Sequence, residues 1–228
     1  MITSKPITIL VAEDHSIVRQ GLCSLLSADG RFSVVAQAKN GREAVRMALA
    51  SQPDVILMDI SMPLMNGHEA GTQILAANPH AKILMLSAHT EDEYVEKMLK
   101  MGALGYVEKH SPVAILVGAI IKVASGAPYL SAAVGRRLLS EQCRPKNRDG
   151  VTRAERLHLT KREREVLQLV AESMANKQIA SELSISVKTV DKHRQSVMNK
   201  LGIHDTAGLT RYAMATGIID GGASLTVI

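Results

Sequence analysis

Along the first 125 residues two apolar patterns alternate. Short runs that are apolar at nearly every position are separated by longer stretches with apolar residues three and four apart. The first pattern reads as strands buried on both faces and the second as helices. The runs are "ITILVAED" (7–14), "FSVVAQA" (32–38), residues 54–59, "KILMLSA" (82–88) and "GYVEK" (105–109). Between them, residues 16–29 place Ile17, Gly21, Leu22, Leu25 and Leu26 at helical spacing, and residues 41–52 form a helix stopped by Pro53. Further helices are expected near 67–77, over 92–102, and over 111–126, where Ser111 would cap and Pro112 would open the first turn. Five βα units predict an α/β fold: a doubly wound, five-stranded parallel sheet covered by helices on both faces, with right-handed crossovers.

Ligands of open parallel sheets bind beyond the carboxyl ends of the strands, so the residues there carry the chemistry. The first strand ends at Glu13 and Asp14, the third at Asp59, the fourth at Ser87 and the fifth at Lys109. A carboxylate at the mouth of a buried strand is costly to desolvate unless something pairs with it. Three close carboxylates call for a hard cation, and Mg²⁺ takes a few carboxylates while accepting phosphate oxygens. One carboxylate would then serve as nucleophile toward a phosphoryl group, with Lys109 and the cation holding the transferring oxygens. Central placement makes Asp59 the acceptor and leaves Glu13 and Asp14 as metal ligands.

The segments "VAEDH", "LMDISMPLMNG", "LSAH" and "GALGYVEKH" stand in the order and spacing of a response-regulator receiver domain, which residues 7–125 resemble throughout. The resemblance implies a flavodoxin-like receiver fold. It implies that Asp59 takes a phosphoryl group from a sensor histidine kinase. Glu13 and Asp14 would bind Mg²⁺ with help from Asp59 and the backbone carbonyl of Ser61. Lys109 would pair with the phosphoryl group, and Ser87 and Tyr106 would be the switch hydroxyl and switch aromatic. Ser87 would move toward the phosphoryl group and vacate space for Tyr106. A haloacid-dehalogenase-type phosphatase also uses such a strand-end Asp. It needs a second Asp two residues on, where this chain has Ser61, so no enzyme activity is expected. A receiver that only binds a partner usually lacks part of the acidic set, which is complete here.

Charge changes the picture beyond residue 125. The net charge of +5 divides into −1 for residues 1–125 (11 Lys and Arg against 12 Asp and Glu) and +6 for residues 126–228 (16 against 10). A basic second part suggests nucleic acid. With no Trp and a single Phe, base stacking on single strands is a poor fit. Residues 127–141 are expected to form one more helix, and the polar, charged stretch 142–158 reads as linker. The domains are therefore taken as 1–126, a connector at 127–158, and 159–228.

In that last part Thr160 and Glu163 match a capping box. Helices are expected over the apolar positions Val166, Leu167, Leu169 and Val170, over 177–183, over 187–200 after a tight turn at 184–186 capped by Ser186, and over 205–217. Two short helices across a tight turn suggest a helix-turn-helix within an all-α, four-helix unit. On the third helix Val187, Val190, Val197 and Leu201 form a stripe expected to face the core. Lys188, Lys192, Gln195 and Asn199 form another, suited to phosphates and base edges in a major groove.

"LTKREREVLQLVAES" and "NKQIASELSISVKTVDKHRQSVMNKLGI" resemble the LuxR-type helix-turn-helix of the NarL/FixJ family. The resemblance implies double-stranded DNA as partner and a homodimer contact on the last helix. It sets Asp191, Lys192 and Gln195 near bases and Ser186, Lys188, Thr189, Arg194 and Lys200 nearer phosphates. Two positions depart from the pattern: Ser173 stands where Gly is usual, and Asp191 where Lys or Glu is commoner. No membrane-length apolar run occurs, the N-terminal apolar run is too short for a signal sequence, and Cys23 and Cys143 have no metal-ligand spacing. A cytoplasmic protein that does not engage a membrane is expected.

Overall fold

The protein is described here from a computed structural model covering residues 5–87, 98, 101–130 and 159–219. The chain divides into two compact units, Met1–Arg144 and Pro145–Ile228.

The first unit runs β1 (Ile7–Ala12), α1 (Ser16–Ala28), β2 (Phe32–Ala38), α2 (Gly41–Ser51), β3 (Val55–Asp59), α3 (Gly67–Ala77), β4 (Ile83–Ser87), β5 (Gly105–Glu108), α4 (Val113–Ala124) and β6 (Tyr129–Leu130). The helix expected over 92–102 lies outside the described residues apart from Met98, Met101 and Gly102. The sheet is parallel, in the order β2-β1-β3-β4-β5-β6. β3 and β4 are buried at every position, which accounts for their unbroken apolar runs. One core layer joins Leu10, Ile56, Met58, Ile74, Met85 and Tyr106; the other joins Ile9, Leu57, Leu84, Val107, Ile120 and Val123. Successive strand residues thus feed opposite layers.

The strand order reverses at β1 and β3, so their carboxyl ends form the topological switch point. Chain approach is tight there. A Cβ on Gly67 would run into the carbonyl oxygen of Asp59, and one on Gly41 into that of Met65. Only glycine lets the first turns of α3 and α2 close onto the loop after β3.

Three expectations need correction. The sheet has six strands, because Tyr129 and Leu130 pair with Gly105 and Tyr106; the sequence placed a helix there and ended the domain at 126. Gly126, at φ +84°, turns the chain after α4 back along β5, a turn that side-chain periodicity does not report. The rest of that helix, 131–141, and the linker over 142–158 fall outside the described residues. Pro112 holds the N-cap position of α4 and Ser111 makes no cap; the Ser111 N–H instead donates to the Glu108 carbonyl, closing a turn. Ile17, one of the apolar positions at helical spacing, does not join the core and is 83% exposed. It sits in the first turn of α1, and α1 buries Leu26, with Leu22, Cys23 and Leu25 partly covered.

The second unit contains α5 (Lys161–Ala171), α6 (Asn176–Glu182), α7 (Val187–Leu201) and α8 (Thr206–Ala215). The capping box is present: the Glu163 N–H donates to Thr160 Oγ1 and the Thr160 N–H donates to Glu163 Oε2. Ser186 caps α7 and Asp205 caps α8 through the N–H groups of Thr189 and Gly208. Val166, Leu167, Leu169 and Val170 from α5 meet Ile179, Val190, Val197 and Leu209 in a shared core. α5 packs on α7 and α8, and α6 packs on α7. Val187 does not join this core. At the first position of α7 it is 42% exposed.

Helix α5 ends in a Schellman turn: the Met174 N–H donates to the Leu169 carbonyl and the Ser173 N–H to that of Val170. Ser173 therefore has a left-handed φ of +64°, which glycine adopts without steric cost. Ser173→Gly should raise stability by about 0.5–1 kcal/mol, and Ser173→Ala should bring no gain. Urea unfolding of the three chains checks this; a glycine variant no more stable than wild type would deny strain at the turn.

Candidate functional site

The register brings the rim residues together. Ala12 pairs with Met58, so Glu13 and Asp59 come next, side by side, on adjacent strands. Asp59 pairs with Leu86 and Ser87 pairs with Glu108. The Lys109 N–H donates to the Ser87 carbonyl at 2.7 Å. From that anchor the Lys109 side chain crosses back along the rim. Its Nζ lies 2.8 Å from Glu13 Oε2 and 2.9 Å from Asp59 Oδ2. Glu13 is fully buried and Asp59 is 2% exposed.

Two further residues belong to this cluster and were not singled out in the sequence. His15 Nδ1 lies 2.9 Å from Asp14 Oδ1 and 3.1 Å from Glu13 Oε1. Arg19 Nη1 donates to the backbone carbonyls of Glu13 (2.6 Å) and Asp14 (3.1 Å). The available signal is position: both sit within the first turn after the acidic pair, where helical spacing points them back at it.

Burial pushes the Asp59 carboxyl up, and the Glu13 charge beside it pushes further. Lys109 offsets only part of this, leaving Asp59 at about 7. Burial would lower the Lys109 ammonium, but Asp59 and Glu13 outweigh it and raise it. The Asp14 charge raises the His15 imidazole; burial opposes, and Glu13 adds to the rise. The rim thus holds more negative charge than it neutralises. Two other carboxylates of the unit are matched: Asp29 by Arg31, Asp54 by the N–H and hydroxyl of Thr8.

Glu13 Oε2, Asp14 Oδ1 and Asp59 Oδ2 are buried and accept no well-formed hydrogen bond, although Lys109 and His15 touch them as charges. Glu13, Asp14, His15 and Asp59 each offer a ligand atom, all within 4.8 Å of one another. Three clustered carboxylates, whose charge Lys109 and His15 only partly offset, fit a hard divalent cation at this spacing. Ser61 lies half-buried in the loop leaving β3.

Ser87 is 2% exposed and Tyr106 is 1% exposed. The Tyr106 ring already lies inside the core layer with Leu10 and Met85. Burial raises its phenol, and a hydrogen bond with Ser87 opposes the rise. Tyr106 is therefore buried beside Ser87.

On α7, Lys188, Lys192, Gln195 and Asn199 are all exposed. Ser186 and Thr189, at its start, bond to each other through their hydroxyls. Two residues expected near phosphates are engaged by other helices. Arg194 donates to Asn176 Oδ1 (2.7 Å) and Thr206 Oγ1 (3.2 Å), and Lys200 donates to Glu163 Oε2 (2.7 Å). Asp191 is exposed and accepts from the Asn176 amide.

An acidic switch-point rim with a bridging lysine, in a chain that also carries a helix-turn-helix with a basic exposed face, defines a two-domain response regulator. Residues 9–121 match the response regulator receiver domain, and residues 157–213 match the bacterial regulatory proteins of the luxR family. Transcriptional regulatory protein DegU of Brevibacillus brevis is 36% identical over 90% of this chain and 91% of its own length. Oxygen regulatory protein NreC of Staphylococcus aureus (strain MRSA252) is 36% identical over 93% and 99%. A LuxR-family two-component response regulator from Aurantimonas sp. SI85-9A1 superposes with a TM-score of 0.58 at 31% identity, over 61% of this chain and 100% of that one. RcsB from Salmonella enterica serovar Typhimurium, solved bound to promoter rprA, shares the fold at 24% identity and TM-score 0.56, over 91% and 98%. The chain belongs to the NarL/FixJ family of two-component response regulators: a transcriptional regulator with a receiver and a LuxR-type DNA-binding domain. No helix among the described residues is long and apolar enough to cross a membrane.

Glu163 joins the start of α5 to the end of α7, accepting from Thr160, Lys200 and Ser196 Oγ (2.6 Å). Burial would raise its carboxyl, but these bonds outweigh burial and hold it at about 2, below its usual 4.5. A depressed folded value stabilises above the unfolded value and is lost as pH falls through the folded one. Glu163→Gln should cost about 1–3 kcal/mol at pH 7, with the gap to wild type closing between pH 4.5 and 2. Thermal melts across that window test it; a gap constant with pH would mean the charge is not what matters.

Proposed function

We propose that Asp59 accepts a phosphoryl group from a sensor histidine kinase, and that this modification controls binding of a homodimer to two half-sites on double-stranded DNA. The observation that carries the reading is the meeting of Glu13, Asp59 and Lys109 within 3 Å contacts at the β1/β3 switch point. An Asp59 oxygen attacks phosphorus as the bond to the kinase histidine nitrogen breaks, so the phosphoryl group changes owner with no other co-reactant. Lys109 is tethered by its own backbone to Ser87, and it turns its ammonium onto the arriving oxygens while remaining beside Glu13. Glu13, Asp14, Asp59 and the Ser61 carbonyl would hold Mg²⁺, which when bound supplies positive charge to the transferring oxygens.

The Ser87 hydroxyl is shared between two demands. It bonds Tyr106 in the unmodified chain, and a phosphoryl group on Asp59 offers it a stronger, charged acceptor. Drawing Ser87 away removes a hydrogen bond from the buried phenol of Tyr106, and that loss drives the change at β5. The chain does not act as a phosphatase, since Ser61 stands where a second catalytic Asp would be required. It works in the cytoplasm, away from the membrane.

Helix α7 enters the major groove. Lys192, Gln195 and Asp191 face bases, while Lys188 with Ser186 and Thr189 at the helix start holds phosphates. Arg194 and Lys200 serve to set the helix in its frame, each through a bond to another helix.

Asp59→Asn should abolish the phosphoryl mass increase seen on incubation with acetyl phosphate and Mg²⁺. Labelling of that variant to the wild-type extent would reject Asp59. Mg²⁺ alone should raise the melting temperature of wild type, and Glu13→Gln or Asp14→Asn should each diminish that rise. An undiminished rise in both would remove them as ligands.

Lys188→Ala should weaken binding to all duplexes alike and reduce the slope of log K against log salt by ~1. Lys192→Ala or Gln195→Ala should cost ~1–3 kcal/mol at the preferred site and relax preference there. Equal loss from all three on preferred and random duplexes would contradict this division.

A further inference from the structure

We infer that Asp191 reads a cytosine in each half-site and that Asn176, from the neighbouring helix, is the residue that aims it; this rests on the reading of α7 as the groove-entering helix. Asp191 is the single acidic residue of α7, in a helix that otherwise carries Lys188, Lys192, Arg194 and Lys200. An exposed carboxylate on such a face is repelled by every phosphate around it. A base edge that offers a hydrogen-bond donor would give its free oxygen a favourable partner in the groove.

The geometry around Asp191 is a directed relay. Arg194 carries donors only, so the Asn176 side chain must turn its oxygen to Arg194 Nη1, at 2.7 Å. That leaves the Asn176 amide nitrogen facing away, and it donates to Asp191 Oδ1. Arg194 is itself held by donation from Nη2 to Thr206 Oγ1. Residues at the starts of α6 and α8 thus fix Arg194, and Arg194 fixes the amide that fixes the carboxylate. Oδ1 is occupied, whereas Oδ2 has no partner among the described residues and stands on an exposed side chain.

In the major groove two base donors exist, the N4 amino group of cytosine and the N6 amino group of adenine. The adenine donor adjoins the N7 acceptor, whose lone pair repels a carboxylate. The cytosine amino group has no such acceptor on its own base, so an oxygen that only accepts discriminates for cytosine. Asn176 touches no base here; it acts through Asp191 as a positioning residue.

The test selects duplexes from a randomised library with the full-length chain, with and without acetyl phosphate and Mg²⁺, and then measures affinities by fluorescence anisotropy. Wild type should prefer one cytosine per half-site and lose about tenfold or more when that pair is changed. Asp191→Ala should erase this preference while raising affinity for random duplexes a few-fold, because one repelling charge is gone. Asp191→Asn should shift preference toward adenine, whose N6 and N7 suit an amide. Asn176→Ala should weaken the cytosine preference without the rise on random duplexes, since the carboxylate remains; circular dichroism and melting verify its fold. Unchanged base preference in both Asp191 variants, or equal loss on preferred and random duplexes, overturns the inference while leaving DNA binding by α7 intact. If wild type binds no duplex in either state, the proposed function falls first and this inference with it.

Discussion

The Lys109 ammonium, lying between Glu13 and Asp59, is the contact on which the receiver rim depends. Two like charges that water scarcely reaches repel each other, and even a single buried charge carries a penalty of several kcal/mol without compensation. Lys109 keeps both carboxylates in the fold at once. Its position follows from the sheet. β5 must stop at Glu108 for the next side chain to swing inward, β3 must present Asp59 at its last position, and the Lys109 N–H must lock onto β4. The compensation is incomplete, as the raised Asp59 carboxyl indicates. That residual imbalance is useful, because it favours any event that brings a cation or turns a charge outward.

Most of the frame was legible in the sequence because burial on both faces leaves a continuous apolar run, and β3 and β4 have no other way to look. Glu13, Asp59, Ser87 and Lys109 were legible together because all four sit at strand ends, and strand ends of a parallel sheet share one edge. Features governed by a single turn or a side chain's direction were not legible. β6 is two residues long, too short for any periodicity, and depends on a left-handed glycine. Ile17 and Val187 carry the right residue type at the right spacing, but each stands in the first turn of its helix and is exposed there, which spacing alone does not report. Tyr106 could be placed on its strand, yet its depth inside the core depends on which strand lies beside it.

The second unit divides its polar residues between two tasks. Charge alone made Lys188, Lys192, Arg194 and Lys200 equivalent, and the fold separates them. Lys188 and Lys192 project from α7 into open solvent, while Arg194 and Lys200 are turned toward other helices. Helical spacing already sets Lys188 and Lys192 on one stripe and leaves Arg194 and Lys200 off it, but it does not say what those two meet. The fold does: Asn176 and Thr206 begin their helices beside Arg194, and Glu163 in the first turn of α5 lies beside Lys200.

The bonds to Glu163 span 33 and 37 residues of chain, and the same carboxylate closes the first turn of α5. Helix ends ordinarily fray one by one, with little effect on the rest of the molecule. Here the opening turn of one helix and the closing turn of another share a single anchoring group, so neither can unravel alone without stranding the partners of the other. Local fluctuation at those two termini is therefore coupled, and exchange of their backbone protons is tied to one larger opening of the domain. A helix tethered in this way keeps its far end ordered in the folded domain.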